Sequence, residues 1–178
     1  STGDPTRYQL KYWNDIPGSG FKESTPWNPT DLASHSSSLG VYNDNFTQGP
    51  GVHYFSFSAC DALGNCSAYG TPFEVTFDNQ APDAPLLGVQ VDGSDVANGS
   101  TTNNDTITAL WNKPSTDTAS YIYAYWNDIP LNPYKETTPW TTTVTGESRS
   151  GSFTEGEGTH YLKVRAMDAV GNLSDWSN

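Results

Sequence analysis

The sequence is poor in basic residues and in long apolar runs. Eight Lys and Arg stand against 20 Asp and Glu, so the net charge is −12, which argues against nucleic acid as a partner because phosphate backbones repel an acidic surface. No apolar run approaches the roughly 20 residues that a spanning helix needs, so we expect a chain that is not membrane-inserted. No charged and then apolar leader opens the sequence, so we expect any signal peptide to have been removed or to lie outside it.

What the sequence does contain is a long internal repeat. The segment YWNDIP at residues 12–17 recurs at residues 125–130, which is 113 residues later. The segment GVHYFSFSACDALGN at residues 51–65 recurs in altered form at residues 158–172, which is 107 residues later. A period of this size matches a small β domain, and we therefore expect two copies of one folding unit.

The second copy of the longer segment has the pattern of a strand that runs into a hairpin. Leu162, Val164 and Ala166 alternate with Lys163 and Arg165, which is the period of a strand with one buried and one solvated face. The turn residues of DAVGN follow directly. Similar short alternating runs separated by turn signals occur along the whole chain, no stretch has a helical period, and together they predict an all-β protein of sandwich type.

The two copies do not cover the same parts of the unit. We predict a partial sandwich over residues 1–79, a proline-containing linker over residues 80–85 and a fuller sandwich over residues 86–178. Alignment of the copies leaves the first without its N-terminal strands, the counterparts of residues 81–114, and the second without its last strand, the counterpart of residues 72–77. Either the chain belongs to a longer array, or another copy donates the missing strands.

Several landmarks of the second copy resemble those of a fibronectin type III domain. They are PDAP at residues 82–85, ITALWNKP at 107–114, YIY at 121–123, GTHYLKVRA at 158–166 and GNLSDWS at 171–177. The ending A-x-D-A-x-G-N is also similar to bacterial immunoglobulin-like repeats of surface proteins. The resemblance implies two tandem sandwiches of a seven-strand type, the first lacking its N-terminal strands and the second its last strand, that serve adhesion, spacing or accessory binding. Where fibronectin type III domains usually keep a tyrosine, this chain has His53 and His160.

The two cysteines are predicted to form a disulfide. Cys60 and Cys66 flank a hairpin whose second copy has Met167 and Leu173 at the same places. A pair that is either apolar or Cys–Cys indicates side-chain contact across the hairpin, and an oxidised pair implies a secreted or cell-surface protein. Two reduced buried cysteines remain an alternative, whereas a metal pair needs two further ligands.

Acidic and amide side chains at turns suggest calcium as a cofactor. Asp61 and Asp168 head the repeated hairpins, and Asp78, Asn79 and Asp83 lie at the domain junction, where the sequence is similar to calcium-stiffened linkers of adhesive repeats. Calcium takes hard oxygen ligands of these kinds. Asp and Asn are also ordinary turn residues, and this simpler interpretation is favoured.

Four tryptophans lie at matched positions, Trp13 with Trp126 and Trp27 with Trp140. Exposed aromatic rings near Asn and Asp are typical of surfaces that stack sugar rings. Sandwiches also bury tryptophan between their sheets, and core filling is the favoured interpretation.

The sequence shows no catalytic pattern. His53 and His160 lie in phase with the buried face of a strand and are interpreted as structural, and Glu155 and Glu157 lie on a loop without partners. We therefore predict a non-enzymatic structural or adhesive stalk, or a filament-forming repeat, whose partners are neighbouring repeats or copies of itself and a surface glycan or protein ligand. The alternative is a carbohydrate-binding accessory module of an extracellular glycan-active enzyme.

Overall fold

The computed structural model describes residue 5, residues 7–28 and residues 48–178. These residues form β-strands and contain no helix, so the prediction of an all-β protein is confirmed. None of them belongs to a helix long and apolar enough to cross a membrane. The strands are β1 (Arg7–Asn14), β2 (Gly51–Cys60), β3 (Phe73–Phe77), β4 (Leu87–Val91), β5 (Ser94–Val96), β6 (Thr106–Trp111), β7 (Thr118–Asn127), β8 (Trp140–Val144), β9 (Ser148–Ser152) and β10 (His160–Asp168).

The chain divides into two compact units, Ser1–Asn79 and Gln80–Asn178. The described strands of unit 1 form one antiparallel sheet in the order β1-β2-β3. Its alternating sequence puts Leu10 on one face, where it is fully buried, and Trp13 on the other.

Unit 2 contains two sheets, one in the order β10-β7-β8 and one in the order β5-β4-β6-β9. Trp111 of β6 packs against Tyr121 and Tyr123 of β7, with ring centroids 5.7 and 6.1 Å apart, so aromatic rings join the two sheets. The buried core consists of Ala109, Trp111, Tyr121, Tyr123, Tyr125, Val164 and Ala166.

The sequence repeat occupies equivalent places in the two units. β2 pairs with β1 so that His53 lies opposite Asn14, and β10 pairs with β7 so that His160 lies opposite Asn127. The prediction that the repeated segment is the same strand in both units is therefore confirmed. Beyond the hairpin of unit 2, Ser177 donates its backbone N–H to the carbonyl of Val164 at 2.7 Å, so the chain continues alongside β10.

Burial differs between equivalent positions on these strands. Val164 is 0% exposed, whereas Phe57, which stands at the matching position of β2, is 48% exposed. Phe73 on the neighbouring β3 is 68% exposed. In unit 2 the sheet that contains β4 and β6 lies over this face, and the described residues of unit 1 include no second sheet.

In each unit a glycine two residues before the histidine lies against an isoleucine of a neighbouring turn. Gly158 has a φ of +158°, and a Cβ atom there would lie 2.5 Å from Cγ1 of Ile129 in the DIP turn. Gly51 has the same relation to Ile16, with a distance of 2.6 Å. Only a residue without a side chain allows this close approach.

Candidate functional site

Each unit contains a cluster of tyrosine, histidine and asparagine side chains. In unit 1 the hydroxyl of Tyr12 lies 2.8 Å from Nδ1 of His53, and Nδ2 of Asn14 donates to that hydroxyl at 3.1 Å. Nε2 of His53 lies 3.0 Å from the carbonyl oxygen of Gly49. Because a carbonyl oxygen only accepts, Nε2 carries the proton, and Nδ1 accepts from the tyrosine.

Unit 2 repeats this cluster with nearly the same distances. The hydroxyl of Tyr125 lies 2.7 Å from Nδ1 of His160, Asn127 donates to it at 3.1 Å, and Nε2 of His160 lies 3.0 Å from the carbonyl oxygen of Gly156. Both ring nitrogens are thus used within the fold, which agrees with the interpretation of both histidines as structural.

The clusters differ at one position. Glu155, which takes the place of Gln48, accepts a hydrogen bond from Tyr125 at 3.1 Å between the hydroxyl and Oε2. Burial raises the pKa of Tyr125 to about 12, the hydrogen bond from Asn127 opposes that rise, and Glu155 adds to it. The phenol therefore remains protonated at neutral pH, and its single proton is donated either to Nδ1 of His160 or to Oε2 of Glu155.

The hairpin aspartates are occupied by local hydrogen bonds. Oδ1 of Asp168 accepts the backbone N–H groups of Val170, Gly171 and Asn172 at 2.7 to 3.0 Å, and Oδ2 accepts Nδ2 of Asn172 at 2.8 Å. Burial would raise the pKa of Asp168, but the hydrogen bonds from Asn172 and its neighbours hold that pKa below its ordinary value. This carboxylate closes a turn and has little capacity left for a cation.

Asp61 has the same role in unit 1. It accepts the backbone N–H groups of Leu63 and Asn65 and the side chain of Asn65, each at 2.9 Å. The side-chain bond from Asn65 is the main cause that lowers the pKa of Asp61. These bonds show the carboxylate as a turn-closing group, and calcium binding by Asp61 and Asp168 stays a prediction.

The remaining residues predicted to bind calcium lie in segments without secondary structure. Asp78 is half-buried at the end of unit 1, Asn79 is exposed, and Asp83 is exposed in unit 2. Among the described residues, no three His, Cys, Asp or Glu side chains are grouped where they could hold a metal. Calcium at the junction stays a prediction.

A disulfide joins Cys60 and Cys66, with an S–S distance of 2.08 Å. The pair is also an isolated β-bridge across the hairpin, and Met167 and Leu173 form the same bridge in unit 2. The same backbone bridge thus carries a covalent bond in unit 1 and a pair of apolar residues in unit 2.

Trp13 and Trp126 each stack on a tyrosine of the neighbouring strand. The centroids of Trp13 and Tyr54 are 5.4 Å apart, and those of Trp126 and Tyr161 are 5.3 Å apart. A lysine ammonium lies over each indole, at 4.9 Å for Trp13. Trp13 is only 7% exposed, which leaves little of its ring for a sugar.

The second pair of tryptophans lies beside the tyrosines of the clusters. Trp27 exchanges backbone hydrogen bonds with Tyr12 at 2.8 and 2.9 Å, and Trp140 begins β8 opposite Tyr125. Both are half-buried. Sugar binding by these four tryptophans stays a prediction.

Unit 1 has an open cleft of about 720 Å³ beside the first tryptophan. Trp13 and Tyr54 line it together with three carboxylates, those of Asp15, Glu23 and Glu74. Burial raises the pKa of Tyr54, and the charges of these carboxylates raise it further. Lys22 is the one basic residue among the described residues of the lining, so the three carboxylates leave the cleft with a net negative charge.

Unit 2 has a smaller aromatic cavity of about 260 Å³. Its lining comes from β6, β7, β8, β9 and the loops that follow β7 and β9. The residues are Ile107, Tyr123, Tyr125, Tyr134, Trp140, Arg149, Ser150, Gly151, Ser152, Phe153 and Glu155. Sequence reasoning identified only Trp140 among them as a ligand-binding residue. The difference between Glu155 and Gln48 at matched positions was a signal that could have indicated this place.

Comparison with solved structures defines the class of the fold. The chain is similar to the FN1–FN3 domains of chicken CNTN1, with a TM-score of 0.54 and 14% identity over 97% of this chain. This likeness shows a fibronectin type III-like β-sandwich fold, as the resemblance in the sequence implied. The chain spans 53% of that CNTN1 chain.

Two further solved structures are similar at lower TM-scores. A two-domain fibronectin type III segment of chicken tenascin matches 99% of this chain and 83% of its own, with 13% identity and a TM-score of 0.38. A cytokine receptor complex matches 96% and 90%, with 12% identity and a TM-score of 0.41. No family model and no curated protein matches the sequence.

Proposed function

We propose that this chain is a non-catalytic pair of fibronectin type III-like modules that acts as a structural and adhesive stalk of a secreted or cell-surface protein. The observation that carries the proposal is that the same hydrogen-bonded arrangement of strands and turns occurs in each unit. In both units the histidine, its tyrosine and its asparagine are joined by hydrogen bonds, and an aspartate closes the hairpin. Side chains that a catalytic site would use are thus engaged in holding strands and turns.

The disulfide supports the proposed location. Cys60 and Cys66 are bonded, and disulfides persist in oxidising compartments. A hairpin strengthened in this way suits a module that is exposed outside the cell.

Neighbouring repeats or copies of the same chain are the proposed partners of unit 1. Phe57 and Phe73 are exposed, whereas the sheet with β4 and β6 covers the equivalent face in unit 2. We propose that a sheet of this same type, from a neighbouring repeat or another copy, packs on the part of this face that Phe57 and Phe73 leave exposed and lets the modules extend into a filament. Apolar patches of this kind mark interaction surfaces.

Single-molecule stretching between handles at the two chain ends tests the stalk. Two discrete unfolding events, one for each unit, are the expected result. Continuous extension without discrete events would contradict a mechanical role, and turnover of any member of a glycan and peptide panel would contradict the non-catalytic assignment.

Sedimentation velocity over a range of concentrations tests the packing of copies. The chain should associate as its concentration rises, and Phe57→Ser should weaken that association. A monomer at every concentration excludes the filament form and leaves the stalk intact.

A further inference from the structure

The aromatic cavity of unit 2 lies between the edges of two sheets. β8 is the last strand of one sheet and β9 is the last strand of the other, and Trp140 of β8 and Arg149 of β9 both line the cavity. Ile107, Tyr123 and Tyr125 are each at most 9% exposed, and they form its inner part. Ser150, Gly151 and Ser152 are exposed and form its rim.

Tyr123 brings a hydroxyl group to this cavity. The residue is 5% exposed, and its hydroxyl makes no hydrogen bond with any of the described residues. Burial raises the pKa of Tyr123 to about 12, while the charge of Arg149 opposes that rise. The hydroxyl is therefore a protonated donor that faces the cavity and is free to bind a molecule there.

Arg149 brings a cation whose hydrogen-bonding capacity is unused. Its guanidinium lies 4.7 Å from the ring centroid of Trp140 and 5.7 Å from that of Tyr123. It forms no ion pair and no hydrogen bond with the described part of the chain, although the net charge is −12. A guanidinium fixed on aromatic rings is well prepared to bind a carboxylate through two parallel hydrogen bonds.

Glu155 brings the opposite charge to the same cavity. Its Oε2 accepts from Tyr125 at 3.1 Å, and its Oε1 makes no hydrogen bond with the described residues. A second carboxylate oxygen of this kind accepts hydroxyl groups, and it repels a ligand with two negative charges, such as phosphate, about twice as strongly as a ligand with one. The cavity therefore favours a single negative charge on a body that also carries hydroxyls.

We propose that this cavity binds a uronate, a pyranose ring that carries one carboxylate. The carboxylate binds Arg149, the ring hydroxyls donate to Glu155, and the hydroxyl of Tyr123 donates to a ring or hydroxyl oxygen. The apolar C–H face of the sugar packs on the walls formed by Tyr134 and Phe153. A volume of about 260 Å³ lies below the roughly 300–1,000 Å³ of sites for drug-sized ligands, which agrees with a ligand of one ring.

Nuclear magnetic resonance of the ¹⁵N-labelled full chain tests this proposal with sodium D-glucuronate and methyl β-D-glucoside as probes. The six tryptophans give six indole N–H signals, and Trp140→Phe identifies the one that belongs to the cavity. Glucuronate should shift that signal saturably with a Kd of about 1 mM, as expected for so small a ligand. The neutral glucoside should bind at least tenfold more weakly.

Variants separate the proposed contacts from general effects. Arg149→Gln should weaken glucuronate binding about 10- to 100-fold, and Tyr123→Phe, which keeps the ring, should weaken it about three- to tenfold. Arg165→Gln is the matched control because Arg165 also lies over an indole, that of Trp176, at 4.5 Å, and should leave affinity unchanged. Arg149→Lys keeps the charge but loses the planar pair of donors, and it should bind less tightly than the wild type while retaining its unfolding temperature.

Three outcomes overturn the proposal. They are no saturable shift with glucuronate, equal affinity for the neutral glucoside, and tighter binding of L-phenylalanine, which would assign the cavity to amino acids. None of them affects the stalk, because spacing does not depend on a ligand in unit 2.

Discussion

The hydroxyl of Tyr125 lies 2.7 Å from Nδ1 of His160, and the same contact joins Tyr12 and His53 at 2.8 Å in unit 1. In both units the tyrosine and the histidine come from neighbouring antiparallel strands and also bind the turns at one end of the sheet. The contact therefore fixes the register of the two strands where the turns begin.

The first prediction concerns this tyrosine. Tyr125→Phe removes the hydroxyl that bonds to His160, Asn127 and Glu155, and it should lower the free energy of unfolding of unit 2 by about 1–3 kcal/mol because buried partners lose their hydrogen bonds. Hydrogen exchange of the β7 and β10 amides measures the loss in unit 2. Tyr12→Phe is the matched variant and should lower the amide protection of β1 and β2 only. A variant that changes the protection of β1, β2, β7 and β10 equally would contradict the assigned role.

The second prediction concerns pH. The pKa of Asp168 in the folded chain lies below its ordinary value of 3.8, so its contribution to stability is fully present above that value and is lost as the pH falls through the folded pKa. Asp168→Asn should therefore flatten the acid side of the stability curve of unit 2. Thermal unfolding followed from pH 7 down to about pH 2 measures this. Asp61→Asn, the matched change, should flatten the curve of unit 1 instead, and an unchanged acid limb in either variant counts against the hairpin role of that residue.

The third prediction concerns the disulfide. Reduction, or Cys60→Ser with Cys66→Ser, should destabilise unit 1 by about 2 kcal/mol because the closed loop is short, with a sequence separation of 6. Cys60→Met with Cys66→Leu copies the pair of unit 2 and should restore part of that loss. Urea unfolding with and without reductant provides the measurement, and unit 2 serves as the internal control because it contains no cysteine.

The fourth prediction concerns the glycine that lies against an isoleucine in unit 2. Gly158→Ala should destabilise unit 2 by about 1–3 kcal/mol, since its Cβ would lie 2.5 Å from Cγ1 of Ile129. Ile129→Ala in the same chain should relieve part of this clash, which a double-mutant cycle on unfolding temperatures measures. Gly146→Ala is the control because no atom lies within 4 Å of the added Cβ. A similar loss of stability in this control would contradict a specific clash between position 158 and Ile129.

Much of the arrangement of strands and hairpins could be predicted because the sequence patterns that indicate it are local and occur twice. The alternation around His53 and His160 predicted two equivalent strands, and the exchange of Cys60 and Cys66 for an apolar pair predicted contact across the hairpin. The second copy shows which positions of the two units are equivalent. A difference in side chains between the copies can therefore be assigned to one known place in the fold.

The cavity could not be predicted because four separated segments form it. Nothing near Arg149 in the sequence indicates that its guanidinium lies on Trp140, and nothing near Tyr123 indicates that its hydroxyl lacks a partner. For Asp61 and Asp168 the simpler interpretation as turn residues describes the geometry well. The turn bonds use oxygens that a cation would need.

Most cations of this chain are engaged with the fold itself. Lys11, Lys163, Arg149 and Arg165 lie over aromatic rings, and Lys22 and Lys135 donate to backbone carbonyls in the turns. Few positive groups therefore project far from the surface, while the acidic side chains outnumber them 20 to 8. Chains displayed densely on one support should repel each other in dilute buffer and crowd more closely as added salt screens their charge. The spacing of such a layer is thus set by ionic strength as well as by module length.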